Sequence, residues 1–578
     1  MTILGSSTRC RVAALLLATT ASAAHAQQDI TGLWGAESVF GPQVRGPITV
    51  VRGQAGVTAR VGGFEVPVAM TRDSVGFSLP GGQGALRAHP AEDGHTISGF
   101  WVQPPGLVMS AAYATPVTLT LVAPGVWRGD LDPLDEAWSL YLDIVRQPDG
   151  VLRGVFRNPE ANWRGPASAY RVESTGNMLK FFDADSGRLV ETAGYDPAER
   201  RIMTVFGVPM VLTSRARDQA VGFYARSPAE STYVYRAPVA LGDGWSTARA
   251  STVGLDESRL AALVERMAGV DPAGNRSLLV HSVLVARHGR LVFEEYFHGF
   301  DASRRHDLRS AAKTFTSVLV GAAILHGAPL RDTSRVYALL APQAATDSVR
   351  QRITLARLLT HSSGLACDDN NDDSPGNEDR LQSQHQQPDW YQYMLDLPMA
   401  HDPGSTYAYC SGGINLATGM LAAATKQWVP TLFERWLARP MGITHYAITL
   451  TPTGQAYGGG GWQLRPRDLL KFGQLYLDHG MWQGTRLVDA GWLTRSTGNQ
   501  IDAGDGNSDG YAWHRRVLHV EGHDYEEYNA SGNGGQLLIV VPALDIAVVF
   551  TAGNYQQYSV WRAFLDELVP QYVLAGAR

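Results

Sequence analysis

The chain has 578 residues, 44% of them hydrophobic, and a formal net charge of −6. So mild a charge over this length gives no reason to expect nucleic acid or an anionic membrane surface as a partner, and the hydrophobic content is that of a folded globular protein. One core seldom serves beyond about 250–300 residues, so two domains or more are expected.

The first 26 residues read as a secretory signal. Arg9 and Arg11 form the positive start, Val12 to Ala18 the apolar stretch, and Ala24-His25-Ala26 a small-residue cleavage site. That apolar run is too short to span a bilayer. No later stretch is apolar for about 18 residues, so no membrane helix is expected. Cys10 precedes the apolar run and is not placed as a lipid anchor. The expected protein is exported, to the periplasm or the medium, with its mature chain starting near Gln27. Of three cysteines, only Cys367 and Cys410 survive signal removal. In an oxidising compartment they form one disulfide or else pack as two small hydrophobes.

Residues 28–236 read as all-β. Short alternating runs such as Ile48-Thr49-Val50-Val51 and Thr118-Leu119-Thr120-Leu121-Val122 are divided by Gly, Pro and Asp turn signals. Ser139–Val145, the turn at Asp149-Gly150 and Val151–Phe156 form a predicted hairpin. Gly32-Leu33-Trp34 and Gly125-Val126-Trp127 echo one another, but the intervening lengths do not match and no repeat is assigned. A closed antiparallel barrel resembling lipocalins, or a sandwich, suits this region. No catalytic constellation is found in it.

Residues 237–255, with Gly242, Asp243 and Gly244, read as a linker. Beyond it the pattern turns to mixed α and β. Ser282–Arg287 and Arg290–Phe293 flank a His288-Gly289 turn as a hairpin. Ser310 to His326 reads as a helix apolar on most faces, hence buried, with Gly327 as its stop. The chain ends in strands Leu537–Val541 and Ile546–Phe550 and a helix from about Ser559. Strands at both ends with helices between predict one antiparallel sheet closed by both termini and covered by helices.

The 49 basic residues include only four lysines: Lys180, Lys313, Lys426 and Lys471. Only Lys313 has a serine three residues before it, Ser310. A buried lysine can lose its proton, whereas a guanidinium effectively cannot. Residues i and i+3 share a helix face, so Lys313 reaches the Ser310 hydroxyl. A serine hydroxyl is a poor nucleophile near neutral pH and needs such a base. Burial is expected to lower the lysine pKa and allow some neutral amine.

Three motifs follow in order: Ser310-Ala311-Ala312-Lys313, then Leu358-Leu359-Thr360-His361-Ser362-Ser363-Gly364-Leu365, then Pro403-Gly404-Ser405-Thr406-Tyr407-Ala408-Tyr409-Cys410-Ser411. With them residues 256–578 resemble the class C β-lactamase, D,D-peptidase and esterase superfamily of serine hydrolases. The resemblance implies a serine β-lactamase-like α/β domain with a central antiparallel sheet, Ser310 as nucleophile, Lys313 as its base and Tyr409 as proton shuttle. Tyr407, two residues earlier, is the competing choice. It implies no metal and no organic cofactor, and a small-molecule or peptide acyl substrate.

Two departures bear on the substrate. Ser411 stands where the family has an asparagine that meets the acyl amide. The family's Lys-Thr-Gly or His-x-Gly strand is matched best by Ala530-Ser531-Gly532, continuing to Asn533, so alanine replaces the cation that meets a substrate carboxylate. The resemblance then favours an ester or amide with a neutral or differently charged acyl group over a penicillin. A β-lactamase or D,D-peptidase is the alternative, and a non-catalytic binding or sensing protein the alternative of another class. The N–H groups of Asn533 and Ser310 are the expected oxyanion hole. His361 is read as structural.

Gly506-Asn507-Ser508-Asp509-Gly510 spells the Gly-x-Ser-x-Gly pattern, but its polar flanks lack the strand and helix that motif requires. As a calcium loop it fails at position twelve, where Arg516 replaces glutamate. The acidic run Asp368 to Asp379 is expected at the site mouth, as a solvated loop or as a lid that binds calcium or favours cationic substrates.

Overall fold

The computed structural model describes residues 29–41, 44–106, 111–160, 168–204, 209–227, 232–272, 274, 276–344, 347–504 and 506–578. The signal expected over residues 1–26 lies outside them. Among the described residues no helix is long and apolar enough to cross a membrane.

The N-terminal β region is two sheets, one nested in the other. Strand Gly32–Phe40 pairs with Glu136–Arg146, and the hairpins that follow lead round to Met210–Arg215, which pairs back with Gly32–Phe40. This is a closed eight-stranded antiparallel barrel. An eight-stranded barrel is just wide enough to be filled by side chains, and Trp34, Leu142, Phe156, Leu179, Phe181 and Leu212 fill this one. Between its first and second strands the chain leaves to build the second sheet, from Gly46–Gly53 to Val126–Leu131, around Ile48, Val50, Trp101, Leu119 and Trp127. The two Gly-x-Trp segments therefore belong to different sheets.

The expected linker is packed. Trp245 is buried and donates from Nε1 to the Arg467 carbonyl (3.0 Å), Asp243 pairs with Arg467 (3.2 Å), and Ser246–Thr247 adds a short parallel strand beside Arg290–Tyr296.

The C-terminal half is built on a nine-stranded sheet in which Val280–Arg287 lies beside Ile546–Ala552, so early and late strands meet as expected. Side chains alternate between two cores. Val283, Val285, Leu537, Ile539, Val548 and Phe550 face helix Glu257–Ala268 and the C-terminal helix. Leu284, Ala286, Leu538, Val540, Ala547 and Val549 face the helical layer. Both faces are covered, which is why these strands read as unbroken apolar runs. In the helical layer, Lys313–Leu325 is buried almost throughout and packs against Ser411–Thr425.

The halves are joined by a hydrogen-bonded ladder. Ala112–Ala114 of the N-terminal sheet pairs with Ile448–Leu450, Tyr446–Ala447 pairs with Gln463–Leu464, and Gln463–Leu464 pairs with His306–Asp307. Ser310 lies three residues further on.

Candidate active site

Ser310 stands on a tight turn, Arg309–Ala312, that runs into helix Lys313–Leu325. Arg309 enters it at φ 48°, in the left-handed region that costs a non-glycine residue energy. The surroundings hold it there: Gly461 N–H donates to the Arg309 carbonyl (3.2 Å), Leu308 N–H to the Trp462 carbonyl (3.0 Å), and Arg309 pairs with Asp307 (3.1 Å). Gly532, on the neighbouring strand His523–Gly532, lies directly against this turn. A Cβ there would stand 2.3 Å from the Leu308 carbonyl oxygen and 3.1 Å from Ala311 N. Gly532→Ala is therefore expected to displace the serine and lower turnover on the order of 10²-fold, with little change in KM. Measured turnover within threefold of wild type would show that the turn yields.

Lys313 is 3% exposed, and its Nζ donates to Ser310 Oγ at 2.8 Å. The same Nζ lies 4.9 Å from the centre of the Tyr409 ring. Burial alone pulls the Lys313 pKa down, as expected from sequence, but Tyr409, Glu378 and Asp369 outweigh it and the net direction is upward. The resting lysine is thus an ammonium, which corrects the expected neutral amine.

Tyr409 precedes helix Ser411–Thr425 and is fixed on both sides. Its carbonyl accepts from Asp369 N (2.7 Å), Ala408 N donates to the His361 carbonyl (2.8 Å), and Cys410 N donates to His361 Nδ1 (3.1 Å). The His361 ring lies 4.6 Å from the Tyr409 ring, and burial pushes its pKa down to about 3, so it stays neutral as an acceptor. Cys410 is joined to Cys367 by a disulfide, with Cα atoms 5.5 Å apart. Tyr407 hydrogen-bonds to Asp509, and burial drives its pKa far up.

Ser411 is not placed as a substrate contact. It is fully buried, and its N–H and hydroxyl both donate to Asp369 Oδ2 at 2.7 and 2.6 Å. Burial, with Glu378 second, lifts Asp369 to about 6. Glu378 accepts from the Tyr457 hydroxyl (2.5 Å), and its N–H donates to Asp369 Oδ1 (2.9 Å). The acidic run therefore folds both its ends against the site and leaves residues 370–373 exposed. Among the described residues no three carboxylate, imidazole or thiol groups converge as metal ligands.

Ser310 opens on two cavities. One, of about 510 Å³, is lined by Tyr409, Ser531, Gly532, Asn533, His514 and Arg516. The other, of about 790 Å³, is lined by Asn533, Tyr555, Glu378, Tyr457 and residues of the N-terminal β region. Asn533 and Ser310 border both. Among the described residues neither N–H finds an acceptor, which suits a pair of oxyanion donors.

The Ala530 side chain is buried in the helical-side core. Basic side chains line the Tyr409 side from elsewhere: His514, Arg515 and Arg516 on the neighbouring strand, and Arg562 on the last helix. His514 Nδ1 is 2.9 Å from Asp509 Oδ1, and its ring lies 6.3 Å from that of Tyr409. Burial opposes the charge on His514, but Asp509 outweighs it and raises the pKa. Sequence reasoning missed this pair. Asp509 sits inside the discarded Gly-x-Ser-x-Gly stretch, and only the Asp509–His514 strand register joins them.

Behind them Glu527 is wholly buried, and burial pushes its pKa up from 4.5 to about 8 despite Arg516. The folded chain keeps this proton where the unfolded chain has released it. Its stabilising contribution is therefore complete below about pH 4.5 and is lost as pH rises through about 8. Glu527→Gln should flatten that decline, so the melting temperatures at pH 5 and pH 8.5 should lie closer together than in wild type. Parallel curves for the two proteins would remove Glu527 as the source.

A family model described as Beta-lactamase matches residues 261–559, just over half of the chain. A 6-aminohexanoate-dimer hydrolase of Paenarthrobacter ureafaciens is 25% identical over 247 residues, which cover 41% of this chain and 61% of that protein. Penicillin-binding protein 4 of Amycolatopsis lactamdurans is 26% identical over 307 residues, covering 46% of this chain and 77% of that protein. Among solved structures, the hydrolase EstCE1 aligns at 17% identity with a TM-score of 0.44, over 55% of this chain and 98% of its own. A penicillin-binding protein homologue from Caulobacter crescentus aligns at 14% identity and 0.42, over 52% and 93%.

Proposed function

Since the chain belongs to the β-lactamase family, which is made up of serine hydrolases, we propose that it hydrolyses an ester or amide through an acyl-enzyme on Ser310. The observation that carries this reading is the 2.8 Å contact of Lys313 Nζ with Ser310 Oγ, under the ring of Tyr409. Ser310 Oγ attacks the substrate carbonyl, and the oxygen that gains charge is met by the N–H groups of Ser310 and Asn533. The Lys313 ammonium holds the negative charge that develops on Oγ. Tyr409 carries the serine proton to the leaving oxygen or nitrogen as its bond to the carbonyl carbon breaks. Water then takes the leaving group's place, gives its proton back along the same route, and the acid departs.

Tyr409 lies in the smaller cavity alone, so on this reading that cavity takes the leaving group and the larger one the acyl group. The buried Ala530 and the engaged Ser411 support an esterase or an amidase over an enzyme that reads penicillins. The similar 6-aminohexanoate-dimer hydrolase bears a name that supports the amide branch. Export is part of the proposal, supported by the N-terminal pattern and by a disulfide, which suits an oxidising compartment.

The test is covalent. Incubation with a fluorophosphonate should add one phosphonyl mass to the intact protein, on the peptide that carries Ser310. A panel of p-nitrophenyl esters, D-amino-acid p-nitroanilides and nitrocefin then separates esterase, amidase and β-lactamase. No adduct, with no turnover of any member, would defeat the hydrolase reading in favour of a binding role.

A further inference from the structure

The larger cavity has walls from both halves of the chain. From the N-terminal β region come Tyr113, Asp132, Asp135, Trp138 and Glu160; facing them are Ser310, Glu378 and Tyr457. This wall is tied to the nucleophile's own segment. Arg304 pairs with Glu160 (3.1 Å), and Arg305 donates to the Pro133 carbonyl (3.0 Å) and stands 3.6 Å from Asp132. The strand ladder from Ala112–Ala114 ends at His306–Asp307, just before Ser310. A segment held by backbone ladder and ion pairs alike is a fixed boundary of the cavity.

The lining is unbalanced in charge. Asp132, Asp135, Glu160, Asp307, Glu378 and Asp379 face into it, against Arg304, Arg305 and Arg309. Each of those guanidiniums already has a carboxylate: Glu160, Asp132 and Asp307 respectively. His306, also in the lining, is kept neutral because burial lowers its pKa to about 4. Asp135 is in turn held by Arg45, so Glu378 and Asp379 leave the excess negative, and the volume of about 790 Å³ far exceeds a short acyl chain.

We propose that the N-terminal β region is the acyl-binding wall of the Ser310 cavity, and that the cavity it closes selects long polar acyl groups that are cationic or neutral and rejects anionic ones. This rests on the hydrolase reading above and adds a role for a region to which that reading assigns none. A cleft lined by one sign of charge concentrates ligands of the other sign and excludes its own.

The experiment uses the full chain and three p-nitrophenyl esters of matched length: hexanoate, the adipate half-ester and 5-(trimethylammonio)pentanoate. Each kcat/KM is divided by that for p-nitrophenyl acetate, which is too short to span the cavity. The expected order is cationic, neutral, anionic, with about tenfold or more between the ends at low salt. In Asp132→Asn/Asp135→Asn the spread should shrink to threefold or less, through KM. Both side chains are well exposed, at 63 and 39%, so the fold should survive, as an unshifted melting temperature will show. If loss of the Arg305 pair does lower it, Asp135→Asn alone carries the test, since Asp135 pairs with Arg45, away from the nucleophile's segment. Equal relative kcat/KM for the three esters in wild type, or a spread undiminished in the variants, overturns the proposal. Absence of Ser310-dependent turnover of every ester, the acetate included, instead overturns the hydrolase reading and this inference with it.

Discussion

Ser310→Ala is expected to lower turnover of any substrate the wild type accepts on the order of 10⁴-fold or more, and to abolish the fluorophosphonate adduct. The size of the loss follows from the placing of the group. Oγ is in contact with Lys313 Nζ, and it stands where both cavities open. Without it no acyl-enzyme forms, and what remains is the modest effect of oxyanion donors on direct attack by water. The fold should be untouched, because one hydroxyl is lost and the turn is held by backbone bonds and by Gly532. The variant should therefore melt with wild type and still bind substrate. Turnover within tenfold of wild type, with the fold intact, would place the chemistry elsewhere.

What could be read in advance follows from how local each feature is. Ser310 and Lys313 need only one helical turn to meet, so their spacing sufficed. Tyr409 needed the motif around it, since nothing local separates it from Tyr407; in the fold Tyr407 bonds to Asp509 while Lys313 Nζ lies by the Tyr409 ring. The acidic run that holds Asp369 and Glu378 was expected at the site mouth, but their partners were hidden because long-range packing supplies them, and the Asp509–His514 pair, five residues apart, depends on a hairpin register. Asp369 meets Ser411 across 42 residues, and Glu378 meets Tyr457 across 79. The lysine's charge state was misread for the same reason: burial is legible in an apolar helix, but the convergence of Tyr409, Glu378 and Asp369 that outweighs it is not. Period-two patterns marked the N-terminal strands, yet not the nesting of one sheet in the other. That nesting depends on Gly32–Phe40 skipping its sequence neighbours to pair with Glu136–Arg146.

Replacing Lys313 should be nearly as damaging as losing the serine, and the choice of replacement separates its two duties. Lys313→Met removes the charge and keeps much of the shape. Turnover should fall on the order of 10³-fold, the combined scale of one acid–base group and one charge stabiliser. Stability should fall, because Tyr409, Glu378 and Asp369 outweigh the cost of burying the ammonium, and methionine leaves those carboxylates buried without their counter-charge. Lys313→Arg restores a positive charge but cannot release a proton, and its planar fork does not fit a site built around a single Nζ. If the lysine acts mainly as a fixed charge on Oγ, the arginine variant should recover at least tenfold over methionine. If it must also pass a proton, the two variants should be equally poor. The methionine variant carries a further signature. Without the ammonium, Asp369 and Glu378 repel with nothing between them, so Asp369 should hold its proton above the present value of about 6. A folded Lys313→Met protein that keeps more than a tenth of wild-type turnover would remove Lys313 from the chemistry.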